Sequence, residues 1–108
     1  MMLTLRRSED FAVDFDRQYR WYLHEAGEAV AERYYASVIT TLNELLRQPG
    51  LGRERKFRHL DLSGLRSFRI QPPFNVHLIF YRYTESELTA ERIMHGARDL
   101  SRRLRERP

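Results

Sequence analysis

Five side chains are placed where they could do chemistry: Arg66, Arg69, Arg82, Arg92 and His95. Each falls in a stretch that reads as a strand, and side chains of one alternation phase on neighbouring strands converge on a common face. An imidazole titrates close to neutral pH, so His95 is the candidate acid or base. Guanidinium forks match phosphate oxygens, which makes Arg66 and Arg92 the candidates for holding a phosphate and stabilising developing charge. As an active site the set is incomplete. Lys56 stands alone, Glu91 reads as a solvent-facing strand residue, and no unambiguous base accompanies the arginines.

Other chemistries find less support. There is no cysteine, which removes disulfides, thiolate metal sites and a thiol nucleophile. His24, His59, His77 and His95 lack the pairwise spacing of metal ligands, so no metal and no cofactor is expected. The five glycines are scattered among turns and build neither a phosphate loop nor a dinucleotide fingerprint. Ser63 and Ser67 have no base beside them that spacing would imply.

The elements that position the five residues can be read from periodicity. Residues 76–84 are apolar on both alternating sets, Val76, Leu78 and Phe80 on one and Ile79, Tyr81 and Tyr83 on the other, so this strand is covered on two faces and central. Glu85, Ser86 and Glu87 form a hairpin-length break before a second strand over 88–95. A third strand is predicted over 65–70, ended by Pro72 and Pro73, which cannot donate ladder hydrogen bonds. Residues 51–62 are charged and aperiodic, an irregular connection with room for a brief strand.

Upstream, Leu3 and Leu5 fit a short first strand, and Ser8 fits a helix N-cap with Glu9 and Asp10 in the favourable first turn. Phe11, Phe15, Tyr19, Tyr22 and Ala26 then draw one apolar stripe down a helix to about Gly27, with Trp21 off the stripe. A second helix from Glu28 carries Ala31, Tyr35, Val38, Leu42 and Leu45, flanked by Tyr34, Ile39 and Leu46, and ends at Pro49 and Gly50. The short connection predicts an antiparallel helix hairpin packed on the sheet. The fold class is therefore α+β: an N-terminal strand, a helix hairpin on a small antiparallel sheet, and a short C-terminal helix. At 108 residues this is one domain, 1–108, with one core.

The chain carries a net charge of +4, and eighteen of its nineteen basic residues are arginine. That balance favours a polyanion or an acidic peptide as partner, or reflects solvated surface alone. Arg98, Arg102, Arg103, Arg105 and Arg107 crowd the last eleven residues, either a solvated end or an electrostatic handle. No stretch has the length of a signal peptide or a membrane span, so the expected location is the cytoplasm.

The HLIFYR of residues 77–82 and the RIMHGARDL of 92–100 are the most telling segments, with His95-Gly96-Ala97-Arg98-Asp99 the most specific part. Ala31, Arg33, Tyr34, Leu42, Leu45, Pro49, Gly52 and Arg53 precede them, followed by Gly64-Leu65-Arg66-Ser67 and Pro73-Phe74. In order and spacing these residues resemble the RelE/ParE toxin superfamily, the ParE branch in particular, over nearly the whole chain. The resemblance implies the toxin of a type II toxin–antitoxin system that binds DNA gyrase, arrests growth without catalysis of its own, and takes no small-molecule substrate. It further implies a cognate ParD-like or other acidic antitoxin that folds along the hairpin and sheet, with DNA met indirectly through the antitoxin. Trp21, Arg69 and Arg82 are the candidate antitoxin contacts, and Arg98, Arg102, Arg103 and Arg105 the candidate target contacts. In ParE-type chains the His95 to Asp99 segment is implied to be a structural corner. The alternative is a RelE-like, ribosome-dependent mRNA endoribonuclease using Arg66, Arg92 and His95, in which the ribose 2′-hydroxyl attacks the phosphate. A plain basic nucleic-acid-binding domain is a further rival.

Overall fold

The computed structural model describes residues 3–96 and 100–108. The chain runs β1 (Thr4–Arg7), α1 (Glu9–Ala26), α2 (Glu28–Arg47), β2 (Arg53–Glu54), β3 (Arg66–Arg69), β4 (His77–Tyr83), β5 (Glu87–His95) and α3 (Leu100–Arg105). Single 3-10 turns at Pro49–Leu51 and Leu60–Leu62 punctuate the long connection. No helix among the described residues is long and apolar enough to cross a membrane.

Local chemistry sets the helix ends. The Ser8 hydroxyl accepts from the Phe11 amide at 2.9 Å, satisfying one of the orphan donors of the first turn of α1. Gly27 separates the two helices at φ +93°, a conformation that a side chain would strain, and this lets the chain double back at once. Along α2 the buried residues are Ala31, Tyr34, Val38, Thr41, Leu42, Leu45 and Leu46. Tyr35, assigned to the core stripe by periodicity, is 46% exposed. Steps of three and four from Ala31 land on Tyr34 and Val38, and Tyr35 is turned a further ~100° outward, where it meets the edge of Phe15.

The strand order is β1-β5-β4-β3-β2, so β4 is central and Leu78 to Tyr81 are all buried. β2 to β5 pair antiparallel, as the sequence leads one to expect. β1 instead lies parallel to β5, from Thr4 opposite Glu87 to Arg7 opposite Ala90, which makes the sheet mixed. Parallel neighbours need a long crossover, and the helix hairpin together with β2 to β4 lies between these two strands.

Two cores result. On one sheet face Ile79, Tyr81, Leu88, Ala90 and Ile93 pack against Phe11, Tyr34, Val38, Leu42 and Leu45 of the hairpin. On the other, Leu78, Phe80 and Met94 lie beneath Leu62, Leu65 and Leu104, the last from α3. Between these faces the β4–β5 register slips: Phe80 pairs with Arg92 but Tyr81 with Ala90, leaving Glu91 as a bulge.

Candidate functional site

β1 ends opposite Ala90, so the outer edge of β5 beyond it needs other partners. The start of α1 provides them. The Ser8 amide donates to the Ala90 carbonyl at 2.9 Å and its hydroxyl to the Glu91 carbonyl at 2.7 Å. Two turns on, the Asp14 carboxylate accepts from the Ile93 amide at 3.1 Å. It also accepts two hydrogen bonds from Arg92, at 2.7 Å from Nε and 3.1 Å from Nη2. Both side chains are buried. The remaining nitrogen of Arg92 donates to the Glu106 carbonyl at 2.8 Å and, at 3.3 Å, to that of Arg103. A guanidinium at a helix C-terminus satisfies carbonyls that have no partner within the helix. Arg92 thus joins α1, β5 and α3.

The five strand candidates divide between the two faces. Arg66 lies opposite Tyr81 on the hairpin face, donates to the Gly52 carbonyl at 2.8 Å, and has its guanidinium carbon 5.6 Å from the centre of the Tyr83 ring. His95 shares that face but pairs with His77. The two positions are four residue steps apart along β4, about 13 Å along a strand. Arg69, Arg82 and Arg92 belong to the opposite face. Arg82 is engaged by Glu91 at 2.9 Å and by the carbonyls of Ser63 and Asp61 at 3.0 and 2.6 Å. Arg69 donates to the Asn75 carbonyl at 2.8 Å and is exposed. Arg66, Arg92 and His95 are therefore not brought together.

The His95 ring is exposed and stands edge-on to His77, centroids 6.0 Å apart. His77 is the buried histidine. Its Nε2 is 2.8 Å from the Tyr22 hydroxyl, and burial, then the neighbouring His95, lowers its pKa to about 4. Its ring is neutral at pH 7 and serves packing among Tyr22, Tyr34 and Phe74. Within that aromatic cluster the Tyr34 hydroxyl is buried with no hydrogen-bond partner among the described residues.

Trp21, off the helix stripe, is 55% exposed, with its ring edge-on to Tyr22. It borders an open recess of about 420 Å³ with Arg17, Gln18, Val76, His77 and His95. Of the basic C-terminal segment, Leu100–Arg105 is a docked helix, with Leu104 buried and Arg103 donating to the His95 carbonyl at 3.2 Å. Arg102 pairs with Glu106 at 3.0 Å and Arg105 donates weakly to Ser101. Arg98 and Asp99, with the corner expected of them, lie outside the described residues.

The model of the ParE toxin of type II toxin–antitoxin systems matches residues 5–100. The chain belongs to the ParE toxin family. Among solved structures, this ParE-family toxin is similar to the chromosomal ParDE system of P. aeruginosa, at TM-score 0.70 and 19% identity over 89% of this chain and 98% of that one. The RelBE2 complex of Mycobacterium tuberculosis matches at TM-score 0.59 and 18% identity, over 88% of this chain and 99% of that one. YafQ from E. coli follows at TM-score 0.49 and 16% identity, over 87% and 93%. At these identities the ParDE and RelBE2 matches speak to the fold. No curated protein sequence matches. The ParE-family toxin is thus the toxin of a type II toxin–antitoxin pair within the RelE/ParE superfamily.

Asp14 was legible in principle, since it sits three residues from Phe11 on the apolar side of α1, where a lone carboxylate needs a partner. No sequence pattern pointed to Arg92 as that partner. Their separation of 78 residues is bridged only by the fold.

Proposed function

We propose that this toxin acts in the cytoplasm by binding DNA gyrase, blocking or trapping it and so arresting growth. What supports a binding mode over catalysis is the fate of the candidate nuclease groups: Arg92 is committed to Asp14 and α3, while Arg66 and His95 sit far apart along the sheet. Residues that must share one phosphate need to lie within hydrogen-bond reach of it. The family match supports the ParE-like target.

A cognate, ParD-like or otherwise acidic antitoxin neutralises the toxin by folding along the hairpin and sheet. Trp21 and Arg69 present exposed contact area for it, while Arg82 contributes from a framework already tied to Glu91. Arg102, Arg103 and Arg105, held in place by the docking of α3, form the target-binding side together with Arg98, which lies outside the described residues. The test is overproduction without antitoxin, reading plasmid integrity, SOS induction and mRNA ends together. Linear plasmid and SOS induction with intact messages are expected. Cleaved messages with intact plasmid would replace this reading by the RelE-like endoribonuclease, and no growth effect at all would remove both. In the purified pair, Trp21→Ala is expected to weaken antitoxin binding at least about tenfold, as for a central aromatic anchor. Unchanged affinity excludes Trp21 from that interface.

A further inference from the structure

Three of the sheet's arginines are paired with carboxylates. Arg82 pairs with Glu91, Arg92 with Asp14, and Arg6 with Glu87. At the far edge, on the face opposite the hairpin, this neutralisation stops. Arg53 pairs with Ser67, which pairs with Phe80, and Arg69 pairs with Leu78, so all share the phase of that face. Arg55 follows by alternation, and its Nε donates to the Ser67 hydroxyl at 2.7 Å with the guanidinium carbon 6.0 Å from the Phe80 ring centre. Together Arg53, Arg55, Ser67 and Arg69 line a recess of about 330 Å³ that no carboxylate enters among the described residues. Glu54, between the two arginines, pairs with Arg66 and so takes the opposite phase.

Three guanidinium groups facing one recess repel one another. Burial, then Arg53 and Arg69, lower the affinity of Arg55 for its proton. An anion in the recess would relieve this, and the guanidinium forks suit phosphate oxygens. The recess is open and lies at the sheet edge formed by β2, with Lys56 and Arg58 exposed just beyond, so a continuous polyanion can lie across it. Single-stranded nucleic acid is gripped mainly by stacking its bases on exposed aromatic rings. Here Phe68, the aromatic residue among the lining, is partly buried against the core and takes the hairpin-face phase, which favours contact with a duplex backbone alone.

We infer that Arg53, Arg55 and Arg69 form a phosphodiester-binding site through which the toxin touches duplex DNA, on the face opposite its helix hairpin. The choice of DNA rests on the gyrase reading, since that target works on duplex DNA. Among the lining residues the Ser67 hydroxyl already accepts from Arg55 and no carboxylate or imidazole stands by, so the backbone is held and not cut.

The test uses the full-length toxin and a labelled duplex of about 20 base pairs, long enough to span several phosphates, titrated by fluorescence anisotropy. Three phosphate contacts give a slope near −2.7 in log K against log salt, a loss of about 40-fold between about 50 and 200 mM. Arg53→Gln with Arg69→Gln, both on exposed positions, should remove about two units of slope and leave the melting temperature unchanged. A tail variant with Arg102, Arg103 and Arg105 changed to Gln should keep most of the binding. Wild-type-like binding by the recess variant overturns the site, as does binding that follows the tail instead. Tighter binding of a single-stranded RNA through the same arginines overturns the choice of duplex DNA. Gyrase supercoiling, assayed in parallel, separates the two ideas: a wild type that binds duplex through the recess but leaves gyrase untouched sinks the gyrase reading and keeps the site.

Discussion

Asp14→Ala is the sharpest test of how this fold holds its C-terminal helix. The carboxylate accepts from Arg92 at 2.7 and 3.1 Å and from the Ile93 amide at 3.1 Å, with both charged side chains about nine-tenths buried. Its removal strands a buried guanidinium, which costs about 3–5 kcal/mol. A domain of this size has a net stability of roughly 5–15 kcal/mol and loses roughly 4–8 °C of melting temperature per kcal/mol, so a drop of about 12–40 °C is expected. Arg92→Ala should also destabilise, by freeing the α3 carbonyls and leaving Asp14 with only the Ile93 amide. The double variant removes both charges, so it should be more stable than the summed losses predict by about 2 kcal/mol or more. Arg92→Lys should rescue little, because one ammonium cannot span the carboxylate and the Glu106 carbonyl as the guanidinium does. Urea unfolding of the four proteins, followed by circular dichroism, measures the cycle. A cost below about 1 kcal/mol for Asp14→Ala, or single losses that add within about 0.5 kcal/mol, would refute the claim that this pair ties α1, β5 and α3 together.

Three further outcomes follow from the core. The His77 pKa is about 4 in the folded chain against 6.5 ordinarily, so its stabilising contribution is full above about pH 6.5 and falls away toward pH 4, by about 3 kcal/mol. Melting curves across that range should flatten in His77→Asn, and parallel losses in both proteins would remove His77 as the cause. Tyr34→Phe deletes a buried hydroxyl that has no partner among the described residues and should leave stability unchanged or raise it by about 1 kcal/mol, whereas a clear loss in urea unfolding would mean that the hydroxyl is satisfied in solution. Gly52→Ala should cost about 1–3 kcal/mol, because a Cβ there meets the Tyr81 ring at 2.6 and 2.7 Å while that hydroxyl is pinned between Gly52 and Pro49. A near-neutral result in the same assay would show that Tyr81 can yield.

The sequence by itself determined the elements. A Ser8 cap, a helix ending at Gly27, a second ending near Pro49 and a doubly buried strand around Ile79 are local statements, made by periodicity and turn chemistry within a few residues. Family membership was legible for the same reason, as an ordered series of short segments across the chain. Tertiary structure alone decided which side chains meet. The parallel pairing of β1 with β5 joins strands separated by the hairpin and by β2 to β4, and the bulge at Glu91 sets the phase of the strand on either side of it. Arg92 therefore reads in sequence as a phosphate ligand and in the fold as the partner of Asp14, 78 residues away. The Arg53, Arg55 and Arg69 cluster was hidden likewise, since strands distant in sequence are needed to bring like charges onto one face, and no local pattern encodes that register.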